Sequence, residues 1–223
     1  MREGLQEELD ELCAGIQEEG RIAAHAVAEA TRALADWSAD AFEAALTAEA
    51  DVRVLYHETE QKVETLLARQ APVAGDLRLV LASLHINRSI ERAAHNAARV
   101  AHLATPPPRR ALVEEAVIVD ALRAMGERGA EMIRTALDTL ERRDANATRL
   151  LTTLDELVDR ENQKIADTIL DIDMTDVELR QWASRMLFAG RWLERVGDHA
   201  VNVAERVTYL VTGEVAVAPD TAQ

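Results

Sequence analysis

The sequence predicts an all-α protein made of two tandem, pseudo-repeated antiparallel three-helix bundles, and three observations carry that prediction. The first is composition: among 223 residues there are 9 glycines, 5 prolines and 3% aromatics against 48% hydrophobic residues. Alanine, leucine, arginine and glutamate dominate, which favours long helices and disfavours turn-rich sheets. The second is a helical apolar period sustained over most of the chain. The third is an internal duplication, since Leu84-x3-Arg88-x2-Glu91-Arg92 reappears as Leu187-x3-Arg191-x2-Glu194-Arg195, 103 residues later throughout.

The elements follow in order. Leu5, Leu9, Leu12, Ile16 and the run Ile22 to Val27 predict a first helix reaching Leu34. Asp36 to Asp40 breaks it, and Ser38 or Asp40 is placed to cap a second helix that runs to about Arg69. Pro72 and Gly75 end that helix, and Asp76 opens a third that carries Leu77 to Leu103. Thr105-Pro106-Pro107-Pro108-Arg109-Arg110 then interrupts the pattern, because three prolines neither continue a helix nor donate backbone hydrogen bonds. Beyond it the rhythm repeats: Ala111 to Leu140, a break at Arg142 to Asp144, Ala145 to about Leu170, a polar turn at Asp171 to Thr175, and Asp176 to Val211 before Gly213. The expected units are residues 1–105 and 106–213, each a three-helix bundle ~40 to 50 Å long, followed by a flexible tail at 214–223.

Charge and cysteine content exclude whole classes. The net charge of -15 divides into -8 before Thr105 and -7 after it, so neither half is a basic module. Nucleic acid and anionic membrane surfaces therefore gain no electrostatic attraction. A single cysteine, Cys13, forbids an internal disulfide and is too few for a cysteine-based metal site. It shares a face with Leu9 and Ile16, which predicts a buried thiol in a reduced, cytosolic setting. The acidic, amphipathic start resembles no secretory signal, and no window is apolar enough to span a membrane.

Chemistry concentrates in the last helix. Arg191, Glu194, Asp198, Asn202 and Glu205 fall on one stripe, bordered by Gly190, Leu193, Gly197, Ala200, Ala204 and Val207, whose small residues admit a close neighbour. Carboxylates four apart repel, so positive charge should offset Glu194 and Asp198, from Arg191 and Arg195 or from a cation. The fifth helix supplies a second pair, Asp155 and Asp159, beside Leu154, Leu157 and Val158. Four carboxylates from two facing helices suit a hard cation such as magnesium, manganese, calcium or iron, with zinc admitted if His199 joins. The competing reading is a solvated acidic face laced with arginine salt bridges. In the first half the equivalent stripe reads Arg88, Glu91, His95, Arg99, His102, and Asp51 is followed four residues later by Leu55. Asp51, Glu91 and His95 make a poorer, mixed site there, against a rearranged salt-bridge stripe of Arg88, Glu91 and Arg99.

These residues resemble a known family. Glu194-Arg195-Val196-Gly197-Asp198-His199-Ala200-Val201-Asn202-Val203-Ala204-Glu205 is close to the Glu-Arg-Ile-Gly-Asp-His-Ala-x-Asn-Ile-Ala-Glu signature of PhoU proteins. Gln70-Ala71-Pro72-Val73-Ala74-Gly75-Asp76-Leu77-Arg78 is similar to that family's Gln-x-Pro-Val-Ala-x-Asp-Leu-Arg element, and Met1-Arg2 with Glu8-Leu9 resembles its start. The resemblance spans Met1 to Gly213. It implies tandem three-helix bundles carrying paired motifs of Glu or Asp, three residues, Asp, which bind metal clusters in some members. Carried over, the ligands are Asp155, Asp159, Glu194 and Asp198, with Asn202, Asp51, Glu91 and His95 as secondary candidates. The implied metals are divalent or trivalent: iron, manganese, magnesium or zinc.

The same resemblance implies regulation without turnover. PhoU-like proteins connect the Pst phosphate ABC transporter to a membrane sensor histidine kinase and keep phosphate-starvation genes repressed when phosphate is plentiful. A cytoplasmic homodimer reaching the membrane only through partner proteins is the corresponding expectation. The sequence agrees in lacking a GxxxxGK[ST] loop, a GxSxG elbow and an HExxH helix. Its acidic helices are expected to dock on basic partner surfaces. Two other classes compete: a carboxylate-bridged di-metal enzyme, which normally needs Glu-x-x-His on two helices and finds none here, and a helical scaffold or adaptor unrelated to phosphate.

Overall fold

The computed structural model describes residues 3–107, 113–172 and 175–214. Six helices account for nearly all of them: α1 (Glu3–Asp36), α2 (Ala39–Gln70), α3 (Ala74–His102), α4 (Val113–Arg142), α5 (Ala147–Leu170) and α6 (Val177–Thr212), with no strand among the described residues. Local chemistry sets most boundaries. Ser38 caps α2 by accepting from the Ala41 N–H at 3.2 Å, and Asp176 caps α6 by accepting from Glu178 N–H at 2.8 Å. Gly213 closes α6 at φ 75°, a left-handed position suited to glycine, with its N–H on the Tyr209 carbonyl at 2.8 Å.

Two helix starts differ from the sequence expectation. Helix α3 begins at Ala74, two residues before Asp76, because Val73 is already extended and its carbonyl accepts from the Asp76 N–H at 3.2 Å. Asp76 thus lies within the first turn, where its carboxylate meets the positive helix end rather than capping it. Helix α5 begins at Ala147 instead of Ala145, because the Asp144 side chain accepts from the Asn146 N–H at 2.8 Å and holds a turn there. The expected start of α4 at Ala111, parts of the 171–175 turn and the tail beyond Glu214 lie outside the described residues.

Helices α1, α2 and α3 pack on one another, as do α4, α5 and α6, and the two trios join along α1–α4 and α3–α6. Helices α2 and α5 therefore stand at the outer flanks. The α1–α4 seam repeats one contact twice. A Cβ at Gly20 would lie 2.5 Å from Leu137, and one at Gly126 would overlap Thr31. Gly20 and Gly126 are 106 residues apart, and so are Thr31 and Leu137. Each bundle offers a glycine notch to the other bundle's side chain, the signature of a two-fold interface folded into one chain. The core runs continuously through both trios, from Leu9, Leu12 and Ile16 in α1 to Leu193 and Val196 in α6, so the halves are fused rather than tethered. Trp182 is buried, while Trp37 is 47% exposed at the α1–α2 break. Cys13 is half-buried and burial raises its thiol pKa, which leaves it mostly protonated.

Candidate functional site

The four carboxylates singled out in the second half do come together. Close approach of α5 and α6 is the cause, and glycine permits it. A Cβ at Gly197 would lie 2.5 Å from Asp155 Oδ1, and one at Gly190 would lie 2.5 Å from Asn162 Oδ1. Gly190 and Gly197 are seven apart, two turns along one face of α6, and Asp155 and Asn162 match them on α5. The Asn162 amide donates to Glu194 Oε2 at 2.5 Å, fixing one end of the cluster.

Asp155 carries the strain. Its Oδ1 is buried with no hydrogen-bond partner, and burial, then Asp159, Asp198 and Glu194, push its carboxyl from 3.8 up to about 7. Asp159, Glu194 and Asp198 are also raised, each first by burial and then by neighbouring carboxylates. None of the four forms an ion pair among the described residues, although Arg191 and Arg195 lie on the same helix. The Arg195 guanidinium instead sits 5.2 Å from the Trp192 ring. Asp159 and Asp198 are exposed while Asp155 and Glu194 are half-buried, so the cluster straddles the α5–α6 seam and the solvent. Arg191 and Arg195 partly offset Glu194, and Arg195 partly offsets Asp198, but burial and the neighbouring carboxylates outweigh them.

That donor set suits a hard cation in charge and chemistry. The ligand shell is not preassembled: among the described residues, no three His, Cys, Asp or Glu side chains stand in metal-ligating geometry. Asn202 is exposed one turn beyond Asp198, and no hydrogen bond joins it to the four. His199 is half-buried, and burial, then Arg92 and Arg195, push its imidazole down to about 4, so it is neutral near pH 7.

The first half resolves the same problem with its own cation. Adding 106 to the buried α2 positions Ala41, Ala45, Val52 and Thr59 gives Ala147, Leu151, Val158 and Ile165, all buried in α5. In that register the counterpart of Asp155 is Glu49, not Asp51, and the counterpart of Asp159 is Arg53. Asp51 is exposed. The Arg53 guanidinium donates to both Glu49 oxygens at 2.5–2.7 Å, and His95 Nδ1 lies 3.6 Å from Glu49 Oε1. Glu91 pairs with Arg92 at 3.4 Å, rather than with Arg88 or Arg99. Glu49, Arg53, Glu91 and His95 therefore stand where the second half has four acids, and the Arg53 guanidinium contacts Glu49 directly.

Sequence reasoning passed over Glu19, Glu49 and Asn162. Glu19 of α1 is fully buried, neither carboxylate oxygen has a hydrogen-bond partner, and burial, then Glu91, push it up to about 9. The signal was present, since Glu19 follows Leu9, Leu12 and Ile16 in phase with the apolar stripe. Asn162 shares a face with Asp155 at a spacing of seven, but only α6 packing reveals its role.

Comparison with known proteins places this architecture. The PhoU domain profile matches residues 16–104 and again 122–207. A relative from Caulobacter vibrioides, named a phosphate-specific transport system accessory protein PhoU homolog, is 31% identical over 213 residues, covering 93% of this chain and 90% of that protein. One of the same name from Pseudomonas aeruginosa is 28% identical over 211 residues, covering 92% and 84%. The crystal structure of PhoU from Pseudomonas aeruginosa superposes with a TM-score of 0.84 at 27% identity, covering 94% of this chain and 99% of that one. That of the phosphate transport system regulatory protein PhoU from Streptococcus pneumoniae also gives 0.84, at 24% identity with 96% and 100% covered, a likeness of fold. The chain belongs to the PhoU family. This is a family of accessory and regulatory proteins rather than of enzymes.

Proposed function

We propose that the chain is a cytoplasmic accessory regulator of phosphate uptake, coupling the Pst ABC transporter to the sensor histidine kinase of the phosphate regulon and repressing the starvation response when phosphate is plentiful. Supporting this is the full-length match to relatives named as phosphate-specific transport accessory proteins, on both repeats. Among the described residues no helix is long and apolar enough to cross a membrane; in this reading the chain reaches the membrane through its partners. The long helices offer extended surfaces, which suits an adaptor that works by binding.

The second repeat carries a metal in this reading. Asp155, Asp159, Glu194 and Asp198 would hold an iron, manganese, magnesium or zinc ion, whose positive charge would neutralise the cluster and tie α5 to α6. The buried, unpartnered Asp155 oxygen favours this over a bare acidic surface. The first repeat, neutralised by Arg53, takes no metal in this scheme. Chromatography of the tagged protein from phosphate-replete cells tests the coupling. Recovery of the Pst transporter ATPase and of the regulon kinase is expected, and loss of both from a stable, folded preparation would overturn the reading.

A further inference from the structure

The charge of this molecule is divided between its faces. Helices α3 and α6 carry nine arginines against six carboxylates, a net of +3, in a chain whose total is -15. The arginines line the outer side of the α3–α6 seam: Arg88, Arg92 and Arg99 from α3, Arg185, Arg195 and Arg206 from α6, all exposed except half-buried Arg206. Arg99 stacks 4.3 Å over Trp192, with Arg195 5.2 Å from the same ring. Beyond burial, Arg206 and Arg88 depress the imidazole of His85, and Arg92 and Arg195 that of His199, an independent mark of a positive field along the seam. Of these six, only Arg92 has a carboxylate partner among the described residues, Glu91 at 3.4 Å. Elsewhere the same protein readily pairs its arginines, as in Arg53–Glu49, Arg21–Glu18 and Arg123–Asp36. Apolar side chains interrupt the stripe, with Phe188 58% and Leu81 41% exposed.

We infer that the outer α3–α6 face is a docking surface for an acidic, amphipathic segment of a partner protein. This does not rest on the phosphate reading or on the acidic cluster. Arginine forks bind carboxylates two hydrogen bonds at a time, and Trp192, Phe188 and Leu81 call for apolar side chains between the partner's acids. From Arg185 to Arg206 the stripe is about 31 Å long, the length of a helix of about 20 residues. Local chemistry selects a short segment over a bulk polyanion. Nucleic acid or an anionic bilayer would meet the repulsion of the whole -15 surface, whereas a segment confined to the seam lies more than a screening length of ~8–10 Å from much of it. The expectation that acidic helices of this chain seek basic partner surfaces is thus complemented by a basic face that seeks acidic ones.

The probe is a fluorescein-labelled 20-residue peptide with glutamates on one helical face and leucines on the other, titrated with the full-length protein and followed by anisotropy. Saturable binding is expected, weakened at least tenfold by the pair Arg99→Glu, Arg195→Glu, and by less than twofold by the exposed α4 pair Arg134→Glu, Arg142→Glu. Thermal melting checks that each variant folds, and Arg99→Gln with Arg195→Gln replaces the charge reversal if it does not. Equal loss in both pairs, no saturable binding, or tighter binding to vesicles containing one-quarter phosphatidylserine through Arg99 and Arg195 would overturn the inference.

Discussion

Replacing Asp155 by asparagine should stabilise the metal-free protein, an unusual outcome for a substitution at a candidate functional residue. The folded carboxyl sits at about 7 against an ordinary 3.8, so in the native state it binds a proton that the unfolded chain has released. Native stability therefore falls as pH rises from about 4 to about 7, and the cost is fully present above that window and absent below it. The gross cost is about 4 kcal/mol. Because the group is only half-buried, solvent screening reduces this to about 1–2 kcal/mol. Asp155→Asn keeps the shape, removes one of four repelling charges, and should raise Tm by about 2–8 °C at pH 8 in a chelator-treated sample. At pH 4 the two proteins should melt together. Added divalent cation should stabilise wild type more than the variant, because the ion relieves a repulsion that the variant has already lost. Calorimetry at pH 4 and 8, with and without chelator, reads all of this. A variant less stable than wild type at pH 8 without metal would refute the reasoning.

Other consequences follow from the same geometry. Glu19→Gln removes a buried carboxyl whose oxygens have no partner, and it should stabilise the protein by about 1–2 kcal/mol at pH 9.5 with little effect near pH 4, as urea titration at the two pH values would show. Gly126→Val would overlap Thr31 across the α1–α4 seam and should cost about 1–3 kcal/mol, offset in part by lost glycine flexibility; a melting temperature at or above that of wild type would argue against the tight seam. Gly197→Leu should push α5 from α6 and abolish metal retention by elemental analysis while leaving far-ultraviolet circular dichroism unchanged. Arg53→Ala leaves Glu49 without its guanidinium and beside Glu91 and His95, and should lower the melting temperature slightly at low salt, an effect that added salt or a divalent cation abolishes; a variant that melts well below wild type at high salt would count against a purely electrostatic role.

Punctuation and period made the helices legible. Ser38, Pro72 and Gly213 lie where α2, α3 and α6 begin or end, because capping and left-handed geometry are local demands that local residues answer. Where two signals competed, as with Asp144 and Ala145, the turn prevailed over the next helical residue. The second acidic cluster was legible because carboxylates four apart on two helices share faces whatever the packing. Its supporting pieces were not, since Asn162 against Gly190 is a meeting of helices. The first repeat misled for a related reason. Asp51 carries the right side chain, but helical phase, fixed by burial of Val52 and Thr59, brings Glu49 to the seam instead.

The most direct measurement compares alkaline phosphatase activity in phosphate-rich medium in a strain lacking this gene, complemented by wild type or by Glu194→Ala with Asp198→Ala. Constitutive activity in the deletion, silenced by wild type and not by the double variant, is the expected result. Low activity in the deletion would contradict a role in repressing the phosphate-starvation response.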